Sequence, residues 1–345
     1  MNKKQIWVYI ENTNKGIADV SKELLSKGKE LAGRLSSSNQ KTELCAIWLG
    51  TNVKKSVQAL FDMRCDKVYL VEHPELKDFK VLPYTTNLVE NIKKYNPYII
   101  LFGATSIGRE LAPRIASAVR CGLTADCTDL QIGDIEFKTN KKAYKDLLLQ
   151  IRPAFGGNII ATIINPEMHP QMATVRPGVM KTLEPLPAGT GKGEVITLEA
   201  KIKQEDFIVE IIQKIQEEKK INLIGAQIIV SGGIGVGNKE NFKLINELAQ
   251  TLGAEIGATR AAVDIGWIHK DHQVGQTGVT VRPRLYIACG ISGSIQHLAG
   301  MQESKQIIAI NKDADAPIMK IAHYKINGDL NRIIPMMIKA YKEKE

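Results

Sequence analysis

Gln227-Ile-Ile-Val-Ser-Gly-Gly-Ile-Gly-Val-Gly237 decides how the chain is read. An apolar run short enough for a buried strand passes into a glycine-rich loop, and helical spacing follows from about Lys239 to Leu252. The same order recurs downstream. Leu285-Tyr-Ile-Ala-Cys289 leads through Gly290 and Ser292-Gly293-Ser294 into a short helix, and Ile307-Ile-Ala-Ile310 follows as another strand. Strands alternating with helices imply a parallel sheet covered on both faces. The loops after these strands then share the carboxyl edge of the sheet, where open α/β folds bind ligands.

Upstream, the same alternation begins afresh. Ile6–Ile10, Leu44–Leu49, Lys67–Val71 and Tyr98–Phe102 read as buried strands, with helical spacing over 17–35, 53–61, 84–95 and 107–120. Residues 128–200 change character. Asp134–Lys138, Lys145–Gln150, Asn158–Ile163 and Val195–Glu199 read as antiparallel strands separated by Gly and Pro. Glu199–Lys220 is charged and reads mostly as a polar helix, with a domain boundary before the apolar run that starts at Ala226. The expected fold is α/β in two domains. An N-terminal parallel-sheet, nucleotide-binding-like domain with an antiparallel extension spans 1–203, a linker spans 204–222, and a C-terminal doubly wound domain spans 223–345.

Composition narrows the function class. Of 345 residues, 44% are hydrophobic and 24% charged, the balance of a globular protein with a core, not of a disordered or fibrous chain. The net charge of +9 comes from scattered basic pairs such as Lys141-Lys142 and Lys219-Lys220 rather than one basic face, which argues against nucleic acid. Such a charge suits solubility or docking of a negatively charged partner. The five cysteines form no C-x-x-C, so neither a disulfide framework nor an iron–sulfur or zinc site is expected. No apolar run is long enough for a membrane span, and MNKKQIWVYIENTNKG lacks the features of a signal peptide, so a cytoplasmic location is expected.

The chemistry gathers in the second half. The glycines at 232, 233, 235 and 237 lie between a strand and a helix, where backbone amides favour a phosphate; a plain connecting turn explains them as well. Glu255 has the spacing of a dinucleotide ribose ligand, which keeps a nicotinamide site as an alternative. Residues 257–278 are more informative. Arg260 is a permanent cation, and Gln273, Gln276 and Thr277 are neutral donors among Gly275 and Gly278, which let a ligand come close to the backbone. Reduction of an isoalloxazine puts negative charge near N1 and the C2 carbonyl, and cations and donors held there stabilise it. His297, after Ser292–Gln296, is a further candidate donor.

Long ordered blocks resemble the alpha subunit of electron transfer flavoprotein. In the second half these are Gly257-Ala-Thr-Arg-Ala-Ala-Val-Asp264, Gln273-Val-Gly-Gln-Thr-Gly278, Tyr286–Met301 and Ala309-Ile-Asn-Lys-Asp313. In the first half they are Leu101–Arg114, Gly122–Cys127, Arg152–Asn158 and Ala173–Gly178. The resemblance implies FAD in the second domain. It places Val274-Gly275-Gln276-Thr277 at the flavin ring and phosphates, Thr277 at flavin N5, Arg260 over the ring, and His297 near C2, where it favours the anionic half-reduced flavin. Gln273 and Gly278 flank this stretch. Ser292, Gly293, Ser294, Ile295, Gln296 and His297, with Asn311, Asp329 and Leu330, would bind along the ribityl, pyrophosphate and adenosine portions. Thr259 stands where relatives carry Ser, and Ile234 where most carry an FAD-contacting Arg.

The resemblance also implies partners. The first domain would pack on an electron transfer flavoprotein beta subunit, and the FAD would exchange electrons with an acyl-CoA dehydrogenase. Some relatives couple this to NADH and ferredoxin by electron bifurcation through the beta subunit; others are plain carriers to a quinone reductase. An NAD-dependent dehydrogenase, an adenine-nucleotide sensor and a basic scaffold are the rival classes, and a colourless protein that binds NADH would favour the first of them.

Overall fold

The computed structural model describes residues 4–13, 16–36, 41–137, 142–154, 160–213, 221, 223 and 225–343. They form two compact units that part between residues 214 and 215.

The first unit opens with β1 (Gln5–Ile10), the two-residue pair β2 (Asn12–Thr13) and β3 (Gly16–Ile17), α1 (Asp19–Leu35), β4 (Glu43–Gly50) and α2 (Val57–Asp62). It continues through β5 (Lys67–Glu72), α3 (Val81–Tyr95), β6 (Ile99–Gly103), α4 (Ser106–Val119) and β7 (Leu123–Cys127). Then come β8 (Asp129–Phe137), β9 (Lys142–Pro153), β10 (Ile160–Ile163), β11 (Gln171–Val175) and β12 (Glu194–Leu198). Seven strands make a parallel sheet in the order β12-β5-β4-β1-β6-β11-β7. β1 shows why its strands lack polar alternation: Ile6, Val8 and Ile10 enter one core with Leu24 and Leu31 of α1, while Trp7 and Tyr9 enter another with Leu88 and Leu111 of α3 and α4. β8, β9 and β10 form the separate antiparallel sheet.

Two expectations are corrected here, and two strands are added. β12 does not join the antiparallel group; it pairs parallel to β5 and edges the main sheet. Buried β11 and partly buried β7 escape the sequence pattern, because each is five residues long and is defined by long-range pairing. The polar helix over Glu199–Lys220 is absent from residues 199–213, which hold only one 3-10 turn at Gln204–Asp206. There the Asn87 side chain of α3 donates to the Lys201 carbonyl and accepts from the Lys201 amide, satisfying an extended backbone without a helix. Lys138, Asn158, Ile159 and the rest of that helix, 214–220, lie outside the described residues.

The second unit runs β13 (Ile228–Gly232), α5 (Phe242–Thr251), β14 (Glu255–Ala258), α6 (Arg260–Asp264), β15 (Leu285–Cys289) and α7 (Ile295–Leu298). It ends with β16 (Gln306–Asn311), α8 (Pro317–Ile321), β17 (Tyr324–Asn327) and α9 (Leu330–Lys342). Its five strands are parallel in the order β14-β13-β15-β16-β17. Ile229, Tyr286 and Ile307 face one core with Ile318 of α8, and Val230, Ile287 and Ile310 face the other with Leu248 of α5 and Ile334 of α9. From β13 the chain turns outward to β14, and from β15 it turns the opposite way to β16. The crevice between the carboxyl ends of β13 and β15 is therefore a topological switch point. The α/β expectation holds for both sheets.

Candidate functional site

At that switch point lies a cleft of about 780 Å³, within the roughly 300–1,000 Å³ range of small-molecule sites. Five segments build it, the loops that follow β13, β14, β15 and β16 and the 273–278 segment.

The loops after β13 and β15 touch backbone to backbone. Gly233 donates its amide to the Cys289 carbonyl at 3.0 Å and Gly235 to the Gly290 carbonyl at 2.9 Å. A Cβ on Gly235 would sit 2.7 Å from the Gly290 oxygen, and one on Gly290, at φ +60°, would sit 2.5 Å from the Gly235 carbonyl carbon. Val236 and Gly237 donate to Gly233 and Ile234. Four amides of the first glycine loop are thus consumed internally, and α5 begins only at Phe242. This corrects the phosphate-cradle reading: these glycines permit close loop packing. Of this loop only the Ile234 amide has no partner among the described residues, and further open amides lie across the cleft. Among the described residues, no partner takes the amides of Ser292, Gly293 or Ser294, and Gly293 adopts φ +88°.

The 273–278 loop is held just as closely. Val274 donates to Ala258, and Gln276 donates to Gln296 at 2.7 Å. A Cβ on Gly278 would meet the Gln273 carbonyl oxygen at 2.2 Å. Buried Gln273 donates through Nε2 to Thr277 Oγ1 at 2.9 Å, so the Thr277 oxygen accepts and its own hydrogen is left to give. Thr259 caps α6 by accepting from the Ala262 amide. Arg260, the first residue of α6, pairs through Nε with Asp264 one turn on, at 3.2 Å, both side chains more than half exposed.

His297 is 4% exposed. Its Nδ1 lies 3.1 Å from the Val274 carbonyl and its Nε2 3.1 Å from the Tyr286 hydroxyl. Burial pushes its pKa down to about 4, opposed by the Val274 carbonyl, so the ring is neutral at pH 7. Both ring nitrogens have a partner within the protein.

Of the residues singled out from sequence, Ile234, Thr259, Arg260, Gln273 to Thr277, Ser292 to Ser294, Gln296, His297 and Asn311 line this one cleft. Gly278 and Ile295 flank it without lining it. Asn311 spends its side-chain amide on the Ile291 carbonyl and its oxygen on the Asp313 amide. Asp329 stands farther along the same edge, capping α9 and paired with Lys312 at 3.0 Å, and Leu330 is buried in the core. Sequence reading missed Asp264 and Asp313 as lining groups; the i,i+4 spacing of Arg260 and Asp264 was the available signal. Glu255 begins β14, at the amino edge and away from the cleft, so the ribose ligand of the nicotinamide alternative is not there. Among the described residues no helix is long and apolar enough to cross a membrane, and no group of three or more His, Cys, Asp or Glu could hold a metal.

Known proteins of one family match both units. The family model described as "Electron transfer flavoprotein domain" matches residues 6–203, and that described as "Electron transfer flavoprotein FAD-binding domain" matches residues 222–302. The chain is 48% identical to the electron transfer flavoprotein subunit alpha of Thermoanaerobacterium thermosaccharolyticum, over 99% of this chain and 98% of the relative. It is 46% identical to that of Clostridium acetobutylicum, over 99% of each. It is also 42% identical to the acryloyl-CoA reductase electron transfer subunit beta of Anaerotignum propionicum, over 99% of this chain and 96% of the relative. With matches of this extent over both units, the chain belongs to the electron transfer flavoprotein family as an alpha-type subunit, and its cofactor is FAD.

Proposed function

We propose that the cleft holds FAD with its ring beside Arg260, Thr277 and His297 and its phosphates along Ser292–Ser294, and that this FAD exchanges electrons with a dehydrogenase acting on acyl-CoA. One observation carries the reading: a permanent cation, a hydroxyl with its hydrogen to spare and three open amides converge on one crevice at a switch point. The fit to FAD is chemical. The open amides suit a pyrophosphate, and the loops at Gly275 and Gly290 are so tightly joined to their neighbours that the cleft keeps its shape before the ligand arrives.

FAD, when bound, supplies one- and two-electron chemistry. The protein supplies position and charge. Gln273 orients the Thr277 hydroxyl towards the ring, and Arg260, tethered by Asp264, is the cation that offsets negative charge gained on reduction. Val274 and Gly275 bring the backbone to the ring edge. Ile234 is 47% exposed at the rim and adds apolar surface without charge. Residues 1–203 pack on an electron transfer flavoprotein beta subunit, 204–222 act as a linker, and 223–345 carry the cofactor. The name of the Anaerotignum relative, which refers to acryloyl-CoA reductase, supports a CoA-thioester dehydrogenase as the redox partner.

The test is co-expression with an electron transfer flavoprotein beta subunit, followed by a flavin count and assays with an acyl-CoA dehydrogenase. FAD bound with dehydrogenase-dependent reduction supports the reading, and a flavin-free heterodimer refutes it. A second FAD, with NADH oxidation that requires both ferredoxin and the acyl-CoA substrate, identifies bifurcation. One FAD without reaction to NADH identifies a plain carrier to a quinone reductase.

A further inference from the structure

A charged cluster is built into the carboxyl edge of the first unit's sheet. β7 bulges where it meets β11: Ala173 pairs with Thr124 and Val175 with Cys127, so two residues of β7 face Thr174 alone. Asp126 lies in that bulge at φ +62°, a left-handed conformation that few residues other than glycine adopt without strain. Its amide donates to Thr174 Oγ1 at 2.9 Å. Its carboxylate accepts from Nε and Nη2 of Arg176, at 3.1 and 2.6 Å. Arg176 is 8% exposed and is fixed in turn by its own amide, which donates to the Cys127 carbonyl. Two further guanidiniums gather at this carboxylate. Arg109, in the first turn of α4, comes only to 3.8 Å of Oδ1, and its side chain is 63% exposed. Arg152 of β9 forms no ion pair within 4 Å among the described residues. Burial by itself would raise the Asp126 carboxyl, but Arg176, then Arg109 and Arg152, hold it below the usual carboxylate range.

Three cations thus surround one anion, and the surplus is carried by Arg109 and Arg152. The neighbourhood of Arg152 is apolar and open. It pairs in register with Ala161 of β10, an edge strand of the antiparallel sheet on which Ile160 is 71% and Ile163 37% exposed. An open edge strand with exposed apolar side chains is a template for contact with another chain. Another protein can cover this surplus of positive charge only if it brings acid to it, because an unpaired guanidinium would lose its water with nothing in return. We propose that Arg109 and Arg152, gathered around Asp126, form a docking point for a carboxylate side chain of the electron transfer flavoprotein beta subunit. The proposal rests on the reading that residues 1–203 pack on that subunit. Arg176 spends its fork on Asp126, whereas the forks of Arg109 and Arg152 remain to grip an incoming carboxylate. Asp126 and Arg176 are the positioning pair. They collect two long side chains before the partner arrives, so docking costs less freedom.

The test is dilution of the FAD-loaded heterodimer, with its dissociation constant read by sedimentation at low and at high salt. Arg109→Gln combined with Arg152→Gln should weaken assembly about tenfold at low salt, and the loss should shrink at high salt, where charge pairs are screened. Arg152→Lys, which keeps the charge without the fork, should lose less than Arg152→Gln. An unchanged dissociation constant overturns the proposal. So does a loss of equal size at both salt concentrations, because packing and not charge would then be responsible. Hydrogen exchange at β7 and β11 separates a merely structural role. The double variant leaves Arg176 on Asp126, so protection there should hold, and a first unit that loosens without a salt-dependent loss of assembly also overturns the proposal. If the wild-type chain assembles with no beta subunit, the underlying reading fails as well, whereas assembly that ignores both arginines sinks this proposal alone.

Discussion

Gly235 and Gly290 face each other across the mouth of the cleft, the amide of one donating to the carbonyl of the other at 2.9 Å, with no room for a Cβ on either. Two glycines from loops 55 positions apart in sequence thus form one structural joint. Gly290→Ala should be severe. Its φ of +60° costs an L-residue about 1–2 kcal/mol, and the new methyl adds a backbone clash of similar or larger size. FAD binding should fall at least tenfold while the first unit keeps its stability. Domain-resolved hydrogen exchange with a flavin titration checks this, and an undisturbed Gly290→Ala would mean that the two loops are not joined.

Gln273 and Thr277 should behave as a coupled pair. Thr277→Val removes the hydroxyl proposed for the flavin and should weaken FAD about fivefold, the value of one hydrogen bond near 1 kcal/mol. Gln273→Leu leaves that hydroxyl unheld and should weaken FAD less. Because one residue acts through the other, the double variant should be no weaker than Thr277→Val alone, and additive losses would contradict the arrangement.

Ile234 offers a gain-of-affinity experiment. Ile234→Arg places a cation at the exposed rim, and FAD should bind up to about fivefold more tightly at low salt, roughly 1 kcal/mol. The gain should vanish as salt rises. A gain that persists in high salt would point to packing instead of charge.

The two units should respond to pH in opposite directions. His297 is held down at about 4 against an ordinary 6.5, so as pH falls the unfolded chain protonates first. The second unit should lose up to about 3 kcal/mol between those values on acidification. Glu11 is the reverse case. Burial, opposed by the Thr105 hydroxyl, raises its carboxyl from 4.5 to about 7, so as pH rises the unfolded chain ionises first. The first unit should therefore lose stability as pH rises through that window. Glu11→Gln should flatten the first profile and His297→Asn the second, followed by hydrogen exchange from pH 4 to 8. Parallel responses of the two units would be the wrong result.

Much of this protein was legible in local pattern. Ile6–Ile10 and Ile228–Val230 are apolar on both faces, which only a strand covered on two sides requires, and the small-residue loops after β13 and β15 marked the binding edge. Most residues named from sequence also line a single cleft, because loops at one sheet edge converge wherever their strands are parallel. What stayed hidden was set by long-range partners. β7 exists through pairing with β11, and β11 through pairing with β7 and β6, and the extended Lys201 backbone answers to Asn87, more than a hundred residues earlier.

By itself the sequence determined two α/β units, their order and the side chains available to a flavin, since periodicity and composition act within one segment. Only the tertiary structure decided how those groups are spent. It turned the amides of Gly233 and Gly235 towards the neighbouring loop, left those of Ser292–Ser294 open, put Glu255 at the wrong edge and closed His297 between Tyr286 and Val274. A hydrogen-bonding group has few valences, and which partner claims them depends on the chain that folding brings within 3 Å, not on its neighbours in sequence.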